Sequence, residues 1–189
     1  MRRALGGLAL VAGGALWIWA AIALAAKPYG DTAVLRLLRP TEPLSATYRS
    51  GDDLVSIFAL AVIFTLVGLG MLHARAAWAS GRPGQAAVVL LAMGALVIAP
   101  FSEALASVPL PLFLLGLMSW ILGMLALAIA ALRQDVLPRS AAYMLIVALA
   151  LLFFTNTEDD RALLLAGQAP VWIWLGLRAF MRRSLAAPA

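Results

Sequence analysis

The sequence predicts an all-α protein, a polytopic bundle of six transmembrane helices with both termini cytoplasmic and a short amphipathic helix on the outer surface. Three observations predict this fold class. The 189 residues are 64% hydrophobic and only 12% charged, with a mean hydropathy of +0.98, whereas a soluble domain is about half apolar and about a quarter charged. The apolar residues fall into six runs of helical length. The arginines gather in the connections on one side.

Composition and charge also exclude several classes of protein. The sequence contains no cysteine, which excludes disulfides, thiolate metal sites, iron–sulfur clusters and cysteine nucleophiles. A formal net charge of +5 and a pI near 10.7 would suggest nucleic-acid binding in a soluble protein. Here the basic residues lie at the ends of apolar runs, as in membrane proteins. We therefore expect membrane lipids, and no nucleic acid, as partners.

The first span follows Arg2 and Arg3. At about 1.5 Å per residue, Ala4–Ala26 reaches roughly 34 Å, enough to cross a hydrocarbon core of about 30 Å. A cleaved signal peptide is the alternative, because Ala23–Ala25 resembles a cleavage site. The run is longer than the roughly 7–15 apolar residues of a signal peptide, which favours a retained helix. The sequence alone leaves the choice open.

Residues 27–53 form the one long connection, on the predicted outer side. Within it, Ala33–Arg39 places four aliphatic residues opposite Arg36 and Arg39, a pattern suited to lying on a membrane surface. An interfacial helix is expected here, with a gate or a docking element as the alternative. Ser50–Asp53 then precedes the second span. This segment is interpreted as an N-cap whose acids are stabilised by the positive end of the helix.

The central spans form a predicted hairpin. Two apolar runs, Ala86–Ala99 and Leu110–Leu132, are separated by the segment Pro100–Pro111, whose prolines mark a reversal of the chain. The six spans are predicted at residues 4–26, 54–72, 86–107, 110–132, 141–155 and 162–180, within a single transmembrane domain of residues 1–189.

The charge of the connections predicts the orientation. His73–Gly84 and Arg133–Arg139 are basic loops, whereas Asn156–Arg161 is a short acidic turn whose Thr157-x-x-Asp160 resembles a capping box. The predicted inner segments hold one acid, Asp135, and the basic residues Arg2, Arg3, Arg75, Arg82, Arg133, Arg139, Arg178, Arg182 and Arg183. The other acids fall on the outer side. This asymmetry predicts a multi-pass protein of the bacterial cytoplasmic (inner) membrane with both termini inside.

Small residues at helical spacing predict how the spans pack. They are Gly6, Ala9, Gly13 and Ala20 in the first span, Ala61, Thr65 and Gly68 in the second, and Gly116, Ser119, Gly123, Ala126 and Ala130 in the fourth. Helices in lipid associate by close packing of such residues. A structural role is expected, with a cofactor crevice as the alternative. Gly13-Gly14 and Gly68-x-Gly70 are likewise interpreted as packing glycines, and no cofactor is expected.

Two polar residues within or near the spans are candidates for ligand binding. No Asp, Glu, Lys or Arg lies in the central part of any span, which argues against ion-coupled transport. Glu103 is expected about 12 Å from the centre of the third span. It is either a carboxylate that binds a cation or a proton, or an interfacial acid that contacts headgroup water. Gln168, shortly before Pro170, is expected to bond a neighbouring helix or the carbonyl that Pro170 leaves free. A ligand contact is the alternative.

Acids of the predicted outer face form a second candidate site. These acids are Asp52, Asp53, Glu103, Glu158, Asp159 and Asp160. Carboxylates from several helix ends can bind Ca²⁺ or Mg²⁺, and the candidate metal ligands are Asp52, Asp53, Glu158 and Asp160. Most of these acids stand at helix starts, however, where capping and the helix dipole already account for them.

Nothing in the sequence points to an enzyme. His73 is the only histidine, so multi-histidine zinc sites and paired haem ligands are excluded, and an interfacial position is expected for it. The serines have no nucleophile-elbow context, and phosphate-loop and dinucleotide motifs are missing. No catalytic residue is predicted.

The last third of the chain resembles a loose group of small uncharacterised bacterial multi-span membrane proteins. The likeness rests on Val136-Leu-Pro138-Arg139 before the fifth span and Trp174-Leu-Gly176-Leu in the sixth. It implies an inner-membrane protein of about four to six helices, and carries no catalytic residue across.

Three functions follow from these patterns. The first is a non-enzymatic accessory or structural membrane protein that packs against a partner protein, a second copy or lipid. The second is a small carrier, channel or binder of lipid or apolar ligands, with its site near Glu103 and Gln168. The third is a membrane enzyme that acts at the outer acidic face.

Overall fold

The structure, a computed structural model, describes residues 2–26, 51–98, 110–134, 136–155 and 160–184, and 94% of it is helical. The α-helices are α1 (Arg2–Ala26), α2 (Gly51–Leu72), α3 (Ala74–Ala79), α4 (Arg82–Ile98), α5 (Leu110–Gln134), α6 (Arg139–Phe154) and α7 (Ala169–Ser184), with a 3₁₀ helix (Asp160–Gln168) before α7. No strand occurs in these ranges. The predicted all-α class is confirmed.

Three helical segments are long and apolar enough to cross a membrane: Arg2–Ala23, Leu115–Gln134 and Arg161–Met181. Three further apolar helical segments are shorter: Ile57–Leu72, Arg82–Val97 and Arg139–Phe154. Together these six segments fall on the six apolar runs of the sequence. The protein is therefore helical with at least three candidate membrane-spanning segments.

The basic loop predicted at His73–Gly84 contains a short helix. α3 occupies Ala74–Ala79, and α4 begins at Arg82, four residues before the predicted Ala86. Four of the six residues of α3 are alanines, the strongest helix formers. Gly81, with φ of +85°, makes the left-handed turn between α3 and α4, a conformation that favours glycine.

The sixth predicted span is not one continuous α-helix. It begins as the 3₁₀ helix and becomes α7 only at Ala169. Pro170 explains the change, because a proline lacks the N–H of an α-helical bond and its ring clashes with the carbonyl four residues earlier. The whole segment Arg161–Met181 is nevertheless a candidate membrane span, and it covers the predicted sixth span at residues 162–180.

Several predicted segments lie outside the described residues. They are residues 27–50 with the interfacial helix Ala33–Arg39, the end of the third span beyond Ile98, the proline-marked reversal up to Pro109, and the turn at residues 156–159.

Helix α1 packs most extensively against α2, and does so through glycine. A Cβ on Gly13 would lie 2.9 Å from the backbone nitrogen of Thr65, and a Cβ on Gly68 would lie 2.9 Å from the carbonyl oxygen of Gly6. Real Cβ atoms do not approach backbone so closely, so only glycine permits this helix separation. Leu72 contacts Gly6 while Thr65 contacts Gly13; the two helices are therefore antiparallel.

A second face of α1 packs against α7 in the same way. A Cβ on Gly7 would lie 2.9 Å from the carbonyl oxygen of Gly176, and a Cβ on Gly176 would lie 2.6 Å from that of Gly7. Seven residues along α1, Gly14 would meet the carbonyl oxygen of Ala169 at 3.1 Å. The pairs Gly6-Gly7 and Gly13-Gly14 thus serve two neighbouring helices at once.

The pair α4 and α5 repeats the arrangement. A Cβ on Gly94 would lie 2.8 Å from the backbone nitrogen of Trp120, and a Cβ on Gly123 would lie 2.8 Å from that of Leu91. The predicted small-residue stripes are confirmed as packing surfaces, since all their members but the half-buried Ala126 are buried. Gly70 is an exception among the packing glycines, because a Cβ there would meet no atom within 4 Å.

The outer faces of the bundle are apolar. Large exposed side chains recur every three or four residues along three helices. They are Leu60, Phe64 and Val67 on α2, Val89, Met93 and Leu96 on α4, and Leu115, Met118, Leu122 and Leu125 on α5. Contiguous apolar surface of this kind is rare on soluble monomers, and it suits contact with lipid chains.

We expect Gly176→Ala to destabilise the bundle by about 1–3 kcal/mol, because the new Cβ would overpack the contact between α7 and α1. The measurement is the free energy of unfolding in a denaturing detergent titration. Gly70→Ala is the matched control, since its Cβ would enter open space and alanine favours helix. Equal destabilisation by both variants would contradict the packing described.

Candidate functional site

The predicted metal site on the acidic face stays a prediction, because the side chains of Asp52, Asp53, Glu158 and Asp160 lie outside the described residues. Along the chain, Asp52 and Asp53 lie in the first turn of α2, and Asp160 begins the 3₁₀ helix. Glu103 and Glu158 lie outside the described residues. Among the side chains that the structure describes, no group of three or more His, Asp or Glu is placed to hold a metal ion.

Gln168 lies in the interior of the bundle, where its side chain is only 1% exposed. Its Nε2 donates a 2.8 Å hydrogen bond to the carbonyl oxygen of Ala148 on α6. The contact ties the end of the 3₁₀ helix to a neighbouring helix, which was the structural role expected of Gln168.

Three buried polar atoms have no hydrogen-bond partner among the described residues: Trp120 Nε1, Gln168 Oε1 and Trp172 Nε1. Gln168 and Trp172 lie one turn apart along the same chain segment. An acceptor and a donor left unpaired in an apolar interior are costly unless a water or a ligand group satisfies them. This pair is the feature of the interior most suited to a small polar ligand.

The other polar contact of the core joins α1 to α2. Trp17 Nε1 donates to Thr65 Oγ1 over 3.3 Å, and the Trp17 ring meets Phe58 edge-on at a centroid distance of 5.0 Å. Both Trp17 and Thr65 are fully buried. The hydrogen bond satisfies a buried indole and fixes the register of the two helices, so it is structural.

A cluster of basic residues lies at one end of the bundle. The antiparallel packing of α1 with α2 and α7 brings the start of α1 beside the ends of α2 and α7. At the same end, Gly81 lies just before α4, and a Cβ built on it would be 4.0 Å from Nε2 of Gln134 at the end of α5. We call this the basic end. Its residues are Arg2, Arg3, His73, Arg82, Arg133, Arg139 and Arg178.

A partly open cavity of about 410 Å³ lies within the basic end. We call it the basic cavity. Its polar wall is formed by Arg3 of α1, His73 between α2 and α3, and Arg178 of α7. Its other lining residues are Leu72, Val136, Leu137, Pro138, Leu175 and Ala179. The two arginines of this lining suit the cavity to an anion.

Two further features shape the electrostatics of the basic cavity. The Arg178 guanidinium lies over the Trp174 ring, 5.2 Å from its centroid, a cation–π contact that fixes the charged group while its N–H edges stay available. α6 begins directly after Pro138, with no side chain capping its first turn. The partial positive charge of a helix N-terminus therefore adds to that of the arginines.

The sequence did not reveal this cavity. It placed Arg3, Arg178 and the region of His73 on one side of the membrane by counting charges, and it assigned His73 a plain interfacial position. The convergence of three distant segments depends on the packing of α1 between α2 and α7. The available signal was the heptad spacing of the glycine pairs 6–7 and 13–14, which marks two packing faces on α1.

We expect Gln168→Met to change the free energy of unfolding by no more than about 1 kcal/mol. It removes one interhelical hydrogen bond, of a kind that averages about 0.6 kcal/mol in membrane proteins, and it also removes the unpaired Oε1. Gln168→Glu should cost at least about 2 kcal/mol, because it places a carboxylate against the Ala148 carbonyl inside the bundle. A large loss in the methionine variant would instead indicate a tightly bound group at Gln168.

Comparison with other proteins adds no assignment of function. No protein-family model, no curated protein and no solved structure matches the chain. The resemblance of the region after Arg133 to small bacterial multi-span proteins therefore stays a prediction. The function has to be inferred from packing, charge and cavities alone.

Proposed function

We propose that the chain is a non-enzymatic, six-span protein of the bacterial inner membrane that serves as a structural or accessory subunit, packed against a partner protein or a second copy. One observation carries the proposal: the interior is occupied by the side chains of the chain itself. The side chains of Trp17, Trp120 and Trp172 are fully buried. Neighbouring helices of the bundle contact each other closely at glycine residues. Such a core supports a rigid scaffold.

The membrane setting is supported by the distribution of polar and apolar groups. The exposed faces of α2, α4 and α5 carry leucine, phenylalanine and methionine, while the described arginine side chains lie towards the helix ends. Exposed aromatic residues stand near both ends: Trp78 and Tyr143 towards the basic end, and Trp19 away from it. Trp19 lies about 26 Å along α1 from Arg2, close to the thickness of a hydrocarbon core, and tryptophan and tyrosine favour the two interfaces.

The orientation is supported by the clustering of positive charge. Basic residues from both ends of the chain and from its connections gather at the basic end, and the positive-inside tendency assigns that end to the cytoplasm. The helices that are short for a span, α4 and α6, can be accommodated by thinning of the bilayer or by oligomerisation. Both termini would then be cytoplasmic, and the long segment of residues 27–50 would lie outside.

A binder or carrier of a small ligand near Gln168 is the second candidate function. It is favoured by the unpaired Gln168 Oε1 and Trp172 Nε1, a buried acceptor and a buried donor one helical turn apart in the chain. The proposed partner residue Glu103 lies outside the described residues.

The absence of native cysteine permits a clean test of orientation with single-cysteine variants in intact cells. We expect Ser140→Cys, at the start of α6, to react with a membrane-impermeant thiol reagent only after the cells are permeabilised. Thr155→Cys, after the other end of α6, should react without permeabilisation. The cysteine-free parent is the control. Reaction of both variants from outside would exclude the proposed crossing of α6.

To test the accessory role, the tagged full chain is extracted with its surrounding bilayer in an amphipathic polymer. The measurement is the total mass of protein in each particle. We expect a discrete species that contains a second copy or one further polypeptide in fixed ratio. Recovery of a monomer alone, carrying a small molecule that the Gln168→Met variant lacks, would favour the second candidate and contradict the first.

A further inference from the structure

We propose that the basic cavity binds the phosphate of an anionic phospholipid, with Arg3 and Arg178 donating hydrogen bonds to the phosphate oxygens. This assignment depends on membrane residence, but it is independent of whether the chain serves a partner protein. Basic pockets between membrane helices at the cytoplasmic face are suited to acidic headgroups.

The positive charges are brought together by the fold and would otherwise repel each other. The contact between Gly7 and Gly176 fixes α1 against α7 one turn from Arg3 and within one turn of Arg178. The contact between Gly6 and Leu72 brings the end of α2, and with it His73, to the same place. The like charges of Arg3 and Arg178, which line one cavity, favour an anion between them.

Arg178 is positioned for a phosphate rather than for bulk water. Its guanidinium is held over Trp174 at 5.2 Å, and Arg178 is only partly exposed. A planar guanidinium presents paired N–H groups that match two phosphate oxygens, and little entropy is lost on binding when the group is already held. The start of α6 beside Pro138 adds backbone N–H groups and the positive helix end.

The apolar part of the cavity favours a lipid over free phosphate. Leu72, Val136 and Leu175 line the cavity together with the arginines, and a free phosphate ion would gain nothing from them. Leu177, next to Arg178 on α7, is exposed and adds apolar surface beside the charged group. A phosphate joined to acyl chains can satisfy both parts at once.

The charge of the lining favours an anionic headgroup over a zwitterionic one. Arg3 and Arg178 line the cavity, and their two guanidinium groups attract the net negative charge of an anionic headgroup more strongly than a headgroup without net charge. A smaller cavity of about 160 Å³, lined by Arg2, Arg3, Gly70, Met71 and Leu72, adjoins the same arginine. Its position extends the cationic surface on which an acidic headgroup would rest.

The test uses the full chain, delipidated in a non-ionic detergent and titrated with phosphatidylglycerol, phosphatidylcholine or sodium phosphate, with bound lipid counted by native mass spectrometry. We expect phosphatidylglycerol to bind at least about tenfold more tightly than phosphatidylcholine. Arg3→Gln and Arg178→Gln should each weaken phosphatidylglycerol binding about tenfold, the size expected for a hydrogen bond to a charged group. The double variant should bind both lipids alike.

Arg133→Gln is the matched control, because Arg133 is an exposed arginine of the same end that does not line the cavity. It should leave the lipid preference unchanged. Size-exclusion profiles and unfolding temperatures show whether each variant folds. If Arg178→Gln fails to fold, Arg3→Gln in the exposed first turn of α1 carries the test.

Three results would overturn the assignment. Equal loss of binding in Arg133→Gln would mean that the whole charged end attracts lipid without a site. Displacement of phosphatidylglycerol by millimolar sodium phosphate, with no preference between the lipids, would mean that the site is for free phosphate. Unchanged binding in the double variant would mean that the lipid lies elsewhere.

Discussion

The structure depends on the close approach of α1 to two helices at once. Inside lipid there is little hydrophobic force to bring helices together, so their association depends on dispersion contacts, which fall off steeply with separation. Gly6 and Gly13 remove the Cβ atoms on one side of α1, and Gly7 and Gly14 do so on the other. Because α1 packs closely against both helices, the ends of α2 and α7 lie near Arg3. The basic cavity follows from this arrangement.

Much of the fold was predictable from sequence, because its determinants are local. The six apolar runs and the stripe of Gly116 and Gly123 require only hydropathy and helical spacing. Neighbour identity was not predictable: Gly70 was expected to pack like Gly68, yet it faces open space. Pro170 marked an interruption of the helical hydrogen bonds in the sixth span, but the 3₁₀ winding before it was not predictable from apolar composition.

The two candidate sites differ in the same way: one was predictable from local sequence and the other depends on tertiary packing. Gln168 was identified from sequence because a lone amide between apolar residues needs a partner, and its bond to Ala148 bears out that argument. The basic cavity could not be found in this way, because Arg3, His73 and Arg178 are far apart in the chain. Counting charges assigns them to a common side, but only the glycine contacts of α1 bring them around one cavity.

The 3₁₀ helix before Pro170 determines which residues face the core. Its winding of about 120° per residue, against about 100° in an α-helix, aligns Ala162, Leu165 and Gln168, and all three are buried. Over the six positions from Gln168 back to Ala162 the difference amounts to roughly a third of a full rotation. If this segment rewound as α-helix, Ala162 would swing out of the interior and turn a different side of the chain towards α6. The tighter winding therefore sets how the first half of this helical segment is rotated about its axis relative to the second half, α7.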